Sequence, residues 1–244
     1  MALSSAAAEL RRMIENSGNI VFFGGAGMST ESGIPDFRSA HGIYRQAQGR
    51  SYEEMLSIGF FRSRPDDFWR FYKNVMLYPK AKPNAGHLAL ARLEKQGKLK
   101  IVITQNIDGL HQAAGSRDVC EVHGSVHRNS CLACGKTYDL AYVLSQQGTP
   151  RCTCGGMLRP DIVFYGEPLD ADVMEAAVRA VTRCDLLIVG GTSLTVYPAA
   201  GLLDYRRGAK LALVNRDETP FDQRADLVVR DSIAQVLDAA IAQA

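Results

Sequence analysis

Ile20-Val21-Phe22-Phe23-Gly24-Gly25-Ala26-Gly27-Met28-Ser29 is an apolar run that breaks off into glycine and other small residues. Four apolar residues in succession suit a strand buried on both faces. The small residues after it let the backbone approach a pyrophosphate near a helix N-terminus. The pattern is not the usual G-x-G-x-x-G, and alone it is equally readable as a tight turn. Working outward, similar runs recur at Lys100 to Thr104, Leu186 to Val189, Leu211 to Val214 and Leu227 to Val229. Helical patterns lie between several of them. Leu10, Met13 and Ile14 share one face, and Met174, Ala177, Val178 and Val181 another. Ile233, Val236, Leu237 and Ile241 form a third, after the capping candidate Asp231. Strands alternating with helices predict an α/β protein built on a doubly wound parallel sheet.

Two segments interrupt the alternation. Residues 39–83 are aromatic and helical in pattern, with Pro65 opening a stretch where Phe68, Phe71, Tyr72 and Val75 fall at i, i+3, i+4 and i+7. Residues 124–160 hold four of the six cysteines. Both read as insertions that build a smaller domain against the sheet. Residues 186–203 are uncharged, but Gly190, Gly191, Thr192, Ser193 and Pro198 interrupt them, so a buried strand and turn fit better than a bilayer span. The N-terminus offers only Ala6 to Ala8 before Glu9, Arg11 and Arg12, too little for a secretory signal, and the chain reads as cytoplasmic. The 28 basic and 26 acidic residues nearly cancel, which leaves no basic footprint for nucleic acid.

In a reducing compartment a cysteine cluster more often binds metal than forms disulfides. Cys131-x2-Cys134-x17-Cys152-x-Cys154 offers four thiolates for one tetrahedral, closed and therefore structural zinc. Gly135, Gly155 and Gly156 stand where knuckle turns need them. The second pair has one intervening residue where two to four are usual. Cys120 and Cys184 sit beside apolar residues and read as packed thiols. His123 follows the apolar stretch Val119 to Val122 and precedes Gly124; its neighbours do not decide between a structural and a catalytic histidine. Thr104-Gln105-Asn106-Ile107-Asp108 leaves a strand at its C-terminal end, where such sheets bind ligands, or else forms an Asx turn. Val214-Asn215, followed by Arg216 and Asp217, is either a ribose-reaching strand end or a surface turn.

Together these residues resemble the sirtuin family from about Ile20 to Asn215 and on toward the final helix. Gly25-Ala26-Gly27-Met28-Ser29 and Ser32-Gly33-Ile34-Pro35-Asp36-Phe37-Arg38 look like its cofactor loop, and Gln105-Asn106-Ile107-Asp108 like its nicotinamide-pocket motif. His123-Gly124 matches the catalytic histidine, and Gly191-Thr192-Ser193 and Val214-Asn215 match the adenosine-binding turns.

The resemblance implies NAD consumed as a cosubstrate, with Gly25, Ala26, Gly27, Ser29, Thr30, Asp36, Phe37, Arg38, Gln105 to Asp108, Gly191 to Ser193 and Asn215 around it. Asp108 and the Ile107 backbone would hold the nicotinamide carboxamide, Asn106 would organise the ribose and a water, and Phe37 would shield the ribosyl cation. The acyl oxygen of an acyl-lysine would attack the anomeric carbon, and His123 would act as general base for the ribose hydroxyl that attacks the resulting alkylimidate. The products implied are deacylated lysine, nicotinamide and an O-acyl-ADP-ribose. Acylated-lysine proteins or peptides would lie as an added strand between Gly166-Glu167-Pro168 and Leu194 to Tyr197. Val163, Tyr165, Val196 and His123 would line the acyl-lysine tunnel; Tyr165 stands where the family usually has phenylalanine.

The same resemblance implies a Rossmann-like domain of residues 1–38, 84–123 and 161–244. The helical module 39–83 and the zinc module 124–160 would form the small domain. Relatives that remove dicarboxylate acyl groups carry a Tyr-x-x-Arg pair on the helix after the proline, where this chain aligns Trp69 and Tyr72. Acetyl is therefore expected over succinyl, and Asp36 agrees. Two rivals are a mono-ADP-ribosyltransferase, which shares nicotinamide cleavage, and a zinc-ribbon nucleic-acid binder, which the near-neutral charge opposes.

Overall fold

The computed structural model describes residues 5–36 and 51–241. Its main sheet has six strands in the order β3-β2-β1-β7-β8-β9. They are β1 (Ile20–Gly24), β2 (Leu99–Thr104), β3 (Val119–Glu121), β7 (Leu186–Gly190), β8 (Lys210–Val214) and β9 (Leu227–Val229), and every pairing is parallel. This is the expected doubly wound sheet. The order reverses beside β1, between β2 on one side and β7 on the other, so the C-terminal ends of β1 and β7 flank the switch point.

Period-2 alternation in the central strands produces two cores. Ile20, Phe22, Ile188 and Val214 face α1 (Ser5–Glu15), α5 (Ala85–Lys95) and α9 (Ile233–Ala240). Val21, Phe23, Leu187 and Val189 face α8 (Ala171–Arg183) and a 3-10 turn at Ala199–Tyr205. Cys120 and Cys184 are buried in the second core, as their neighbours suggested. α9 ends without a basic residue in its last turn, and Arg11 of α1 supplies the charge by donating to the carbonyls of Ala239 (2.8 Å) and Ala240 (3.1 Å). The cap at its other end differs from the expectation. Ser232, not Asp231, accepts from the Gln235 N–H, while Asp231 accepts from the Ser232 N–H.

A third core joins α2 (Tyr52–Met55), α3 (Ile58–Ser63), α4 (Pro65–Phe71) and α7 (Leu140–Ser145) to a three-stranded antiparallel sheet. The sheet order is β5 (Thr137–Tyr138), β4 (Gly124–Cys131), β6 (Leu158–Ile162). This core extends to Ile162 and Phe164, past residue 160. The stretch after Pro65 is helical, but it buries Phe68, Trp69, Tyr72 and Met76, not the expected Phe71 and Val75. Trp69, Tyr72 and Met76 keep an i, i+3, i+7 helical spacing, so the buried face is turned by one position from the expected one, and the helix continues as a π turn at Tyr72–Met76. No helix among the described residues is long and apolar enough to cross a membrane.

Candidate active site

A cavity of about 980 Å³ opens at the switch point, between the six-stranded sheet and the third core. The loops after β1 and β7 form its floor, and they meet backbone to backbone. Gly25 N donates to Gly190 O (3.3 Å) and Gly27 N to Gly191 O (2.8 Å). A Cβ on Gly27 would lie 2.7 Å from Gly191 Cα, and one on Gly191, whose φ is +63°, would lie 2.4 Å from Met28 N. Only glycine permits this closeness. Ala26, Gly27, Ser29, Thr30, Asp36, Gly191, Thr192, Ser193 and Asn215 line the cavity; Gly25 does not. Phe37 and Arg38 lie outside the described residues.

The β2 loop brings amides and a carboxylate to the same place. Asn106 Nδ2 donates to Ser29 Oγ (3.0 Å), and Ser29 Oγ donates to Asp108 Oδ2 (2.6 Å). Burial raises the Asp108 pKa, against the lowering effect of its bonds from Ser29 and the Leu110 N–H. The bond from Leu110 N to Asp108 Oδ1 (2.9 Å) is an Asx turn, and Gln105 to Asp108 also line the cavity. Gln105 Oε1 accepts from Thr192 Oγ1 (3.0 Å), whereas its Nε2 is buried without a partner among the described residues. A buried donor left over beside a glycine cradle fits a ligand rich in hydroxyl and phosphate oxygens, as NAD is. Asn215 uses its amide locally, donating to Asp217 O (2.9 Å).

His123 follows β3 and lines the cavity. Its Nδ1 lies 3.0 Å from Gln105 O. A carbonyl has no proton to give, so Nδ1 carries the hydrogen and the neutral ring keeps its lone pair on Nε2. Burial lowers the pKa below the ordinary histidine value, partly opposed by that hydrogen bond.

Val163, Tyr165, Gly166, Glu167 and Val196 all line the cavity. The Tyr165 backbone is stitched to the helical module, with Tyr165 N bonded to Leu56 O (3.0 Å) and Ile58 N to Tyr165 O (3.1 Å). Glu167 does more than the motif suggested. Its carboxylate takes both guanidinium nitrogens of Arg159 (3.0 Å each) and the Phe164 N–H (3.1 Å), which fixes the loop to β6.

All four clustered thiols converge, including those of the unusually short Cys152-x-Cys154 pair. Their Sγ atoms lie within 4.8 Å of one another, with separations of 3.6 Å (Cys131 to Cys154) and 3.5 Å (Cys134 to Cys152 and to Cys154). Zinc with bonds of about 2.3 Å needs a tetrahedron of edge about 3.8 Å, so the set fits. The Ala133 and Cys154 N–H groups point at Cys131 Sγ and Cys152 Sγ, both at 3.4 Å, and favour the thiolates. Gly156 is required, because a Cβ there would meet Cys131 Sγ at 2.7 Å.

Trp69 and Tyr72 do not line the cavity; both are fully buried in the third core, Trp69 edge-on to Phe68 and Tyr72 stacked on it. The apolar end of the cavity is instead Leu56, Met76, Val126, Leu140, Ile162 and Phe164, and no lysine or arginine joins them among the described residues. Sequence reasoning also missed Ser232 and Ile233 at the start of α9, which reach the opposite end with Arg216 and Asp217. It missed His127 as well, which no motif marks.

The model of the Sir2 family matches residues 25–198. An NAD-dependent protein deacetylase of Clostridium acetobutylicum is 54% identical over 237 residues, covering 96% of this chain and 97% of the relative. One of Cutibacterium acnes is 53% identical, with 95% and 96% covered. A solved Sir2 complex with deacetylated p53 peptide and 3'-O-acetyl ADP ribose superposes with a TM-score of 0.88 at 40% identity, over 96% of this chain and 98% of that one. A Sir2 complex with p53 peptide and NAD+ gives a TM-score of 0.83 at 42% identity, with 94% of each chain covered.

Proposed function

The chain belongs to the Sir2 family, the sirtuins, and from that premise we infer that it is an NAD-dependent protein lysine deacetylase. It releases nicotinamide and forms an O-acyl-ADP-ribose. When bound, NAD supplies the glycosidic bond whose cleavage creates an electrophile for the acyl oxygen. Every other step falls to residues of the chain. The glycine loops after β1 and β7 take the phosphates, and Gln105 offers its spare donor. Asn106, Ser29 and Asp108 form one hydrogen-bonded line that sets the nicotinamide end.

His123 is the base, and the observation that carries the reading is its hydrogen bond to Gln105 O. That bond holds the ring in the tautomer whose free nitrogen can accept a ribose hydroxyl proton. Tyr165 to Glu167 and Val196 border the peptide, with the substrate's acyl group directed toward the apolar end. The division into residues 1–38, 84–123 and 161–244 against 39–83 and 124–160 follows the separate cores of the two sheets except at its last boundary, which falls after Phe164 because β6 and the third core run past residue 160. Four thiols gathered for a metal favour a reducing compartment, hence the cytoplasm.

The test is His123→Ala together with the pH profile of the wild type. The variant should keep its fold and NAD binding and lose deacetylation by about a hundredfold or more, the scale of a lost general base. The wild type needs neutral His123, so kcat/KM should fall as pH drops through a pKa below 6.5. Near-normal turnover in the folded variant would remove His123 from this role.

A further inference from the structure

The turn after β2 carries Asp108, yet two successive residues of β4, a strand of the other sheet, hold its backbone. Val126 N donates to Ile107 O (3.0 Å), and His127 Nε2 lies 3.0 Å from Asp108 O. Because the carbonyl can only accept, His127 donates from Nε2. The next residue, Gly109, has φ +73°, and a Cβ there would meet His127 Cδ2 at 2.7 Å and Nε2 at 2.8 Å. The imidazole therefore occupies the space over this glycine. On the far side, Ser29 Oγ and Leu110 N hold the Asp108 carboxylate. The side chain of Asp108 is thus set from one direction and its peptide plane from the other.

We propose that His127 is a positioning residue for the nicotinamide pocket, fixing the Asp108–Gly109 peptide so that the Asp108 carboxylate and the Ile107 backbone meet the carboxamide. The proposal rests on the placement of nicotinamide at Asp108. His127 touches no reacting atom. Its hydrogen bond ties the pocket to the sheet that carries the cysteine cluster, since Cys131 ends the same strand.

Three substitutions in the full, zinc-loaded chain separate the functions of the side chain. His127→Phe keeps a ring over Gly109 without the donor, His127→Gln keeps a donor at similar reach, and His127→Ala removes both. Two readouts are needed, namely NAD affinity by calorimetry and steady-state KM and kcat with nicotinamide inhibition. His127→Phe and His127→Ala should each weaken NAD and nicotinamide by about fivefold, the scale of one neutral hydrogen bond. Peptide KM should stay put, and His127→Gln should remain within about twofold of wild type. A His127→Phe protein indistinguishable from wild type overturns the proposal. So do three variants that depress kcat, peptide binding and melting alike. Asp108→Asn is the reference. If it leaves nicotinamide inhibition unchanged, the pocket assignment fails together with the clamp; if it shifts inhibition while His127→Phe does not, the clamp alone fails.

Discussion

Arg159→Met should loosen the substrate loop from its anchor. Arg159 and Glu167 form a two-pronged ion pair whose side chains keep 24% and 20% of their exposure. The guanidinium also lies 5.0 Å over the Phe164 ring, and methionine preserves much of that packing while removing the charge. Exposed pairs contribute about 0–1 kcal/mol, whereas breaking a fully buried one costs about 3–5 kcal/mol. With about a fifth of each side chain in water, roughly 2 kcal/mol follows, or a Tm lower by about 4–8 °C in a chain of this size. Burial alone would raise the Glu167 pKa, but Arg159 and the Phe164 N–H outweigh it and hold the carboxyl below its ordinary value. The pair therefore stabilises above the unfolded carboxyl's pKa and is lost as pH falls through the folded one, so the variant's deficit should shrink in acid. Because Tyr165 and Gly166 ride on the same loop, KM for peptide should rise while KM for NAD stays level. Adding Glu167→Gln to Arg159→Met should recover part of the stability, since an amide needs no counter-charge. Thermal unfolding of the two variants decides it. An Arg159→Met protein melting with the wild type, or a double variant showing only the sum of two losses, refutes the anchor.

Two further outcomes are expected. Protein purified without chelator should carry one zinc per chain; stripping it, or Cys152→Ser, should melt the third core and silence the enzyme, and metal analysis finding no zinc would contradict this. Acetyl-lysine should exceed succinyl-lysine in kcat/KM by about tenfold or more, because an unpaired carboxylate entering the apolar end costs several kcal/mol against ~0.8 kcal/mol per buried methylene; a succinyl preference on one peptide would defeat this.

Much of the scaffold is legible in the sequence. The five apolar runs are all strands; four lie inside a doubly wound sheet that covers both faces, while β9 at its edge leaves Val228 exposed. The cysteines and glycine turns are equally legible, since each must be that residue type to work. β3 is an edge of three residues interrupted by Glu121, which pairs with Arg128, and so gives no continuous apolar run. The helix after Pro65 has the right composition, but two neighbouring faces are apolar, Phe68-Phe71-Tyr72-Val75 and Trp69-Tyr72-Met76, and composition alone does not say which turns inward. Trp69 and Tyr72 misled for a related reason: alignment fixes position along a helix, not which side faces the cavity. Glu167 as an anchor and His127 as a clamp depend on contacts 8 and 19 residues away in sequence. Loops packed against the strands of the second sheet create such contacts, and no local pattern encodes them.

The central claim is that nicotinamide release and acyl transfer are one coupled reaction, and product stoichiometry tests it most directly. With NAD and an acetyl-lysine peptide, mass spectrometry should find one nicotinamide and one O-acetyl-ADP-ribose for every lysine deacetylated. A peptide that gains ADP-ribose and keeps its acetyl group, or nicotinamide release with free ADP-ribose and an intact acetyl-lysine, would contradict the account.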